Sequence, residues 1–317
     1  MSRFDPVKLS PAFKDYLWGG ERLKSEFNKK CDLSPLAESW ELSAHKDGES
    51  LVRDGEFDGL GLTEYIERIG RSALGENSEK YDYFPLLIKL IDAKGDLSVQ
   101  VHPDDAYALI HEGEYGKTEM WYILDCEEGA CLYYGFARDV SREEYETAIK
   151  NGELCSILNR VRVKKGDVFF IPAGTVHAIG AGIVICEIQQ NSNTTYRVFD
   201  YNRRDKNGNL RPLHIEKALE VSDLKRSPEL CDTPDGDDVL LSECDYFEVR
   251  RLRISGERQL VLDRTSFVSL IVTEGEGRLA YGGGELALMK GDSIFLPAQD
   301  SKMTVYGNLE IIQSKVR

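Results

Sequence analysis

The chain has 317 residues, 41% of them hydrophobic and 9% aromatic, which is enough for a large core and more than one domain. Lys and Arg total 40 against 55 Asp and Glu, a formal net charge of −15 with no basic tract, so nucleic acid and anionic membranes are poor partners. No apolar run has the length of a membrane span or a signal peptide, and seven scattered cysteines without a Cys-x-x-Cys pair fit reduced thiols in a cytoplasmic protein. In chain order, the first eighty residues are mixed. Turn-rich segments such as Trp18-Gly19-Gly20 precede a helix expected from Thr63 to Ala73, where Tyr65, Ile66 and Ile69 recur at helical spacing. Trp18 and Trp40-Glu41 carry no chemical pattern, and core packing is the default for them.

From Phe84 the pattern changes to short strands bounded by Gly, Asp and Pro: Phe84–Ile91, Leu97–Val101, Met120–Leu124, Cys131–Tyr134, Val161–Val163, Val168–Ile171, Ile183–Gln190 and Tyr196–Phe199. Helices are expected at Asp104–Glu112, at Ser141–Ile149 behind a serine cap, and at His214–Val221. An acidic, Pro-containing stretch from Ser227 to Asp238 reads as a linker, and further short strands follow from Tyr246. Many short strands without a βαβ rhythm indicate an all-β dominated fold, a double-sheet jelly roll of the cupin kind with a few peripheral helices.

An internal repeat makes that two jelly rolls. Lys165-Gly-Asp-Val-Phe-Phe-Ile-Pro-Ala173 matches Lys290-Gly-Asp-Ser-Ile-Phe-Leu-Pro-Ala298. Upstream, Met120-Trp-Tyr-Ile-Leu matches Val268-Ser-Leu-Ile-Val. The expected division is residues 1–226, an N-terminal segment plus a metal-binding catalytic domain, and 239–317, a metal-free second jelly roll. The repeat is asymmetric at two positions. His177 corresponds to Lys302, and Glu119 to Phe267. One working site in the first copy follows.

Among five histidines, His102 and His177 have the placement of metal ligands. Gln100 and His102, two apart on a strand, point to one face, and Pro103 biases His102 toward extended geometry. Glu119 opens the next strand. Two imidazoles, a carboxylate and an amide oxygen suit a borderline divalent ion, zinc first. With no thiolate in the set, the site is of the open, catalytic type. His45, His111 and His214 lie outside any metal-like spacing, His111 on a solvated helix face and His45 in a turn-like stretch.

Pro85-Leu-Leu-Ile-Lys89-Leu, Leu97-Ser98-Val-Gln100-Val-His102-Pro103-Asp104, Lys117-Thr-Glu119-Met-Trp, Ile171-Pro-Ala-Gly-Thr175-Val-His177-Ala and Tyr196-Arg197-Val-Phe-Asp200-Tyr201 resemble, in order, the signature segments of the type I mannose-6-phosphate isomerases. The resemblance implies one zinc ion per chain on Gln100, His102, Glu119 and His177, a catalytic Arg197, a role for Lys117, and substrate or phosphate contacts at Lys89 and Ser98. The fungal and enteric members carry a helical insert between the Glu and second His ligands. Here that interval holds one short helix, so the chain resembles the compact bacterial form.

Aldose–ketose isomerisation needs a base beside a carbonyl, a stabiliser for the developing oxyanion, and a grip on the phosphate. Arg197 suits the second task. Glu187, a carboxylate in the apolar strand Ile183–Gln190, is the candidate base together with Lys117; a salt bridge to a neighbouring strand, for instance with Arg197, is the competing reading. Lys89, on an equally apolar strand, either snorkels to water or meets an anion. The same constellation could serve a metal-dependent cupin dioxygenase, which the Gln100 amide fits poorly, or a non-catalytic cupin that binds sugar phosphates.

Overall fold

The computed structural model describes residues 4–204, 207–229 and 233–317. Most strands belong to three antiparallel sheets. A six-stranded sheet runs in the order Val168–Ile171, Glu119–Cys126, Ile183–Gln190, Leu86–Ala93, Glu38–Leu42 and Ala12–Lys14. A five-stranded sheet runs Leu158–Arg162, Cys131–Phe136, His177–Ala178, Val99–Val101 and Tyr196–Phe199. These two face each other as the first jelly roll. Ile91, Trp121 and Ile185 of one meet Leu132 and Tyr134 of the other, with Ile179 just past strand His177–Ala178.

Strand side chains alternate, so the six-stranded sheet has a second apolar face. Ile88, Leu90, Met120, Tyr122, Cys186 and Ile188 on it pack against Phe267, Ile271, Phe295 and Ile312 of the second lobe. Every residue of Leu86–Ala93 and of Ile183–Gln190 is therefore buried. That explains why apolar residues occupy both faces of each strand, because no face is left for water.

The second lobe is an eight-stranded sheet in the order Asp238–Glu243, Phe247–Leu262, Ser301–Val316, Val268–Tyr281, Ser293–Leu296, Val7–Ser10 and Leu51–Arg53, with Gly284–Met289 paired to Val268–Tyr281. It closes round Leu252, Leu270, Leu279, Ile294, Val305 and Ile311. Two of its strands come from the N-terminal segment. Val7 lies opposite Phe295, and Leu9 lies between Ser293 and Val52. A buried ion pair accompanies this pairing: Lys8 Nζ is 2.7 Å from Asp292, which also takes Arg53 at 2.8 Å.

Helices Arg142–Asn151 and Ile215–Val221 cover the outer face of the five-stranded sheet, where Tyr145, Ile149 and Leu219 pack on Val99, Val101, Phe136 and Val198. Ser141 caps the first by accepting from the Glu144 amide at 3.1 Å, as its sequence indicates. The helix expected over 63–73 instead spans Leu62–Ile69. Gly70, at φ 97°, breaks it, and a separate single turn follows at Arg71–Leu74. The expected strand Leu97–Val101 begins at Val99, and the one expected over 161–163 runs Leu158–Arg162. His45 sits not in a turn but in the two-residue strand Ala44–His45, buried against the Trp40 ring. His111 is exposed, as expected. In the stretch 227–238, residues 230–232, with Cys231, lie outside the described residues. The other six cysteines are free thiols. No described helix is long and apolar enough to cross a membrane.

Candidate metal centre

Alternation places every candidate residue on the inside of the first jelly roll. Met120 and Tyr122 face the second lobe, so Glu119 and Trp121 face inward. Ile88 and Leu90 face that lobe too, as do Cys186 and Ile188, which turns Lys89 and Glu187 inward. On the opposing sheet, Val99, Val101, Ala178, Tyr196 and Val198 pack outward under the helices. Ser98, Gln100, His102, His177 and Arg197 then point into the same space.

His102, Glu119 and His177 form a fully buried group whose ligand atoms all lie within 4.8 Å of one another. It is the group of this kind found among the described residues. His102 Nδ1 is 2.9 Å from the Thr194 carbonyl, and His177 Nδ1 is 2.8 Å from the Thr175 carbonyl. A carbonyl only accepts, so each Nδ1 carries the proton and each Nε2 turns a lone pair inward. Burial, then Lys117, holds the His102 pKa well below the usual imidazole value; burial lowers that of His177 to about 4. Both rings are neutral at physiological pH, the form that binds metals. The Nε2 atoms lie 3.7 Å and 3.3 Å from the two Glu119 oxygens.

Both Glu119 oxygens are buried; Oε2 is paired only with the Lys117 ammonium at 2.7 Å, and Oε1 has no hydrogen-bond donor. Burial pushes this carboxyl up to about 7, against the pull of Lys117. A buried carboxylate left this way is poorly satisfied by protein alone, and a cation satisfies it. Gln100 brings its amide within 3.3 Å of His177 Nε2, and a half turn of that amide presents its oxygen instead. Two neutral imidazoles and a carboxylate, on His102, Glu119 and His177, could hold a divalent ion, and the Gln100 amide stands beside them as a candidate fourth ligand.

A string of alternating charges continues from this group across the six-stranded sheet. Lys117 Nζ lies 2.7 Å from Glu119 and 3.8 Å from Glu187. Lys89 Nζ lies 3.2 Å from Glu187 and 4.0 Å from Glu38. All five side chains are buried. Burial would raise the Glu187 pKa, but Lys117 and Lys89 outweigh it and hold the carboxyl below its usual value. Trp121 Nε1 donates to the second Glu187 oxygen at 3.1 Å. The salt bridge considered for Glu187 therefore exists, but with lysines rather than with Arg197. Arg197 lies across the barrel, where its Nη1 donates to the Pro212 carbonyl at 3.0 Å and its Nε is buried without a partner. Ser98 is buried two residues before Gln100 on the same inward face.

Sequence reasoning missed Glu38, Trp40 and Trp121. Glu38 accepts from Trp40 Nε1 at 2.7 Å, and Lys89 Nζ stands 5.0 Å from the Trp40 ring centre. Trp40 is core, as the default has it, yet its ring is also a wall of the site. Glu41 faces the other way and meets Lys29 at 2.6 Å between the lobes. The spacing of Glu38 and Trp40, two apart on one strand, was the available signal. The carbonyls of Thr175 and Thr194 leave no sequence signal, because any residue supplies one.

Comparison with known proteins agrees with this geometry. Residues 7–133 match the family model of the phosphomannose isomerase type I catalytic domain, and residues 238–316 match that of the mannose-6-phosphate isomerase cupin domain. The chain is 42% identical over 316 residues to the mannose-6-phosphate isomerase ManA of Bacillus subtilis, covering 98% of each. It is 40% identical over 315 residues to a mannose-6-phosphate isomerase of Streptococcus mutans, again over 98% of each. Its structure superposes on the crystal structure of the Bacillus subtilis mannose 6-phosphate isomerase with a TM-score of 0.91 and 38% identity, over 98% of this chain and 99% of that one.

Proposed function

This chain belongs to the type I mannose-6-phosphate isomerases, in the compact form, and from that premise we propose a zinc-dependent route between mannose 6-phosphate and fructose 6-phosphate through an enediol. The activity is mannose-6-phosphate isomerisation; the ion, the residue roles and the intermediate are the proposal. The carrying observation is the buried His102, Glu119, His177 group, whose Nε2 atoms are turned inward and whose carboxylate keeps one oxygen, Oε1, without a hydrogen-bond donor. With Gln100 these residues would hold one zinc ion per chain. When bound, such an ion supplies a Lewis acid for the substrate oxygens.

The rest is the work of this chain's own groups. Glu187 stays ionised beside Lys117 and Lys89, so it is competent to take the proton from the carbon next to the carbonyl. Lys117, between Glu119 and Glu187, is placed to pass that proton to the neighbouring carbon or oxygen. Arg197, on the opposite wall, offers a fixed positive charge to the developing oxyanion. Trp121 orients Glu187 by its indole N–H. Lys89 and Ser98 complete the polar lining against the sugar. The second lobe, 239–317, is read as packing support, since Phe267 and Lys302 stand where the first has Glu119 and His177. Phe267 is buried among Phe84 and Phe295, and Lys302 is exposed.

The deciding experiment is metal analysis of the purified chain with a coupled mannose 6-phosphate assay, on wild type and Glu119→Ala. The expected result is one zinc per active chain, lost with activity in the variant. An active, metal-free wild type overturns the reading. Stoichiometric iron with oxygen consumption would instead make the chain a dioxygenase.

A further inference from the structure

The ring of His102 is held by a carbonyl on a segment that belongs to no strand. Thr194 lies within residues 191–195, between strands Ile183–Gln190 and Tyr196–Phe199, and its carbonyl takes the His102 Nδ1 proton at 2.9 Å. His177 is placed differently. Its partner carbonyl, that of Thr175, sits in a turn closed by backbone groups: the Thr175 amide donates to the Pro172 carbonyl at 3.1 Å, and the Gly174 amide to the His102 carbonyl at 2.8 Å. The Thr194 carbonyl depends instead on side chains.

Those side chains start at Gln189. Ile188 faces the second lobe, so Gln189, like Glu187 two residues before it, faces into the first jelly roll. It is fully buried and stands opposite Glu119 on the neighbouring strand. Its Nε2 donates to the Gln190 carbonyl at 2.8 Å and to the Ser192 carbonyl at 2.6 Å. Both partners only accept, which fixes the amide with its nitrogen toward the loop. Ser192, also fully buried, accepts in turn from the Thr194 amide on its Oγ at 3.2 Å. The contacts thus run from Gln189 through Ser192 and Thr194 to His102.

The start of the loop has anchors of its own. Gln190 Oε1 accepts from the Thr118 amide at 2.8 Å, and Asn191 Nδ2 donates to the Phe84 carbonyl at 2.8 Å. Gln189 reaches past both to Ser192. Its other end is left unsatisfied, because Oε1 is buried without a hydrogen-bond partner. Such an orphan acceptor costs about 1–3 kcal/mol, which an apolar side chain of the same size avoids. Packing alone therefore does not account for an amide at this position, whereas its two donated bonds do.

We propose that Gln189 is a positioning residue for the metal centre: with Ser192 it sets the Thr194 carbonyl, and through it the tautomer and direction of the His102 ring, while His177 is set independently. This rests on the zinc isomerase reading above. A group behind a histidine ligand fixes which nitrogen is free for the metal, and losing it lowers metal affinity by about 10- to 100-fold.

The test uses the full-length chain as wild type, Gln189→Met and Ser192→Ala. Zinc affinity is measured by competition with a chelator of known strength, nitrogen-15 NMR of the histidine rings reads their tautomers in the zinc-free chain, and thermal melts confirm folding. Gln189→Met removes both donors at nearly constant volume. It should weaken zinc binding by about 10-fold or more and leave His102 a mixture of tautomers, with His177 still protonated on Nδ1. Ser192→Ala, which frees only the Thr194 amide, should move both readouts the same way by less. In zinc-loaded Gln189→Met, kcat should fall more than KM for mannose 6-phosphate rises. A folded Gln189→Met that holds zinc as tightly as wild type, with His102 still protonated on Nδ1, overturns the inference. Equal loss of the Nδ1 proton at His102 and His177 overturns it too, since the effect would then be a general loosening. A wild type whose zinc affinity depends on Gln189 but which does not isomerise mannose 6-phosphate would sink the isomerase reading and leave the positioning role standing.

Discussion

Lys165 and Lys290, corresponding residues of the two Lys-Gly-Asp repeat turns, meet on one carboxylate: Glu274 lies 2.6 Å from the first and 3.0 Å from the second. The repeat therefore does more than build two similar lobes. It brings its own two copies together through a single acidic residue of the second lobe. The pairs are partly exposed, with Glu274 40% open, so their energetic weight is small.

Glu274→Gln should lower stability by no more than about 1 kcal/mol and leave kcat and KM as they are. Urea unfolding and the coupled assay check this. A drop of several kcal/mol would mean that the tie between the turns organises the lobe interface.

Phe267 stands where the first repeat has Glu119, and it is fully buried against Phe84 and Phe295 between the lobes. Phe267→Ala should cost about 3–5 kcal/mol through lost burial and a residual cavity. The expected signature is a lower denaturation midpoint with the metal content of the folded protein unchanged.

Metal removal should act through the histidine group. A chelator should abolish isomerisation and lower the melting temperature, because an ion that binds only the folded state stabilises it by mass action. Zinc added back should restore both. In His177→Ala the melting temperature should no longer respond to zinc.

Glu187 holds two buried lysines, so its removal should be felt twice. Glu187→Gln should lose exchange of the substrate proton with tritiated water, the readout of the base. Glu187→Leu should also destabilise by about 3–5 kcal/mol, because Lys89 and Lys117 lose a buried partner. Wild-type exchange in folded Glu187→Gln assigns the base elsewhere.

Acid should loosen the N-terminal strand. Burial would raise the Asp292 pKa, but Lys8 and Arg53 outweigh it and hold the carboxyl below its usual value. A carboxyl depressed on folding contributes stability above its unfolded pKa, about 3.9, and that stability is lost as pH falls through the folded value. Urea midpoints should fall below about pH 4 in wild type, and less steeply in Asp292→Asn.

Much of the site was legible because a strand repeats every two residues. Gln100 and His102 share a face by spacing alone, and the Lys165 and Lys290 turns exposed the repeat and its asymmetry at His177 and Glu119. Local chemistry also placed the helix after Ser141, whose hydroxyl finds the Glu144 amide without help from the rest of the chain. Other features depend on which strands become neighbours. Val7–Ser10 pairs with Ser293–Leu296, nearly the whole chain away, and nothing in either segment names the other. Lys89, Glu187 and Glu38 lie in separate buried strands, and only sheet pairing sets Glu187 beside Lys89 and leaves Arg197 on the far wall. The carbonyls of Thr175 and Thr194 orient the histidines as backbone, which has no side-chain signature. Residue types and their periods thus determined the candidate ligand set and the two-lobed plan. The charge partners and the tautomers were decided by tertiary contact, because a buried ion's state depends on neighbours from distant parts of the chain.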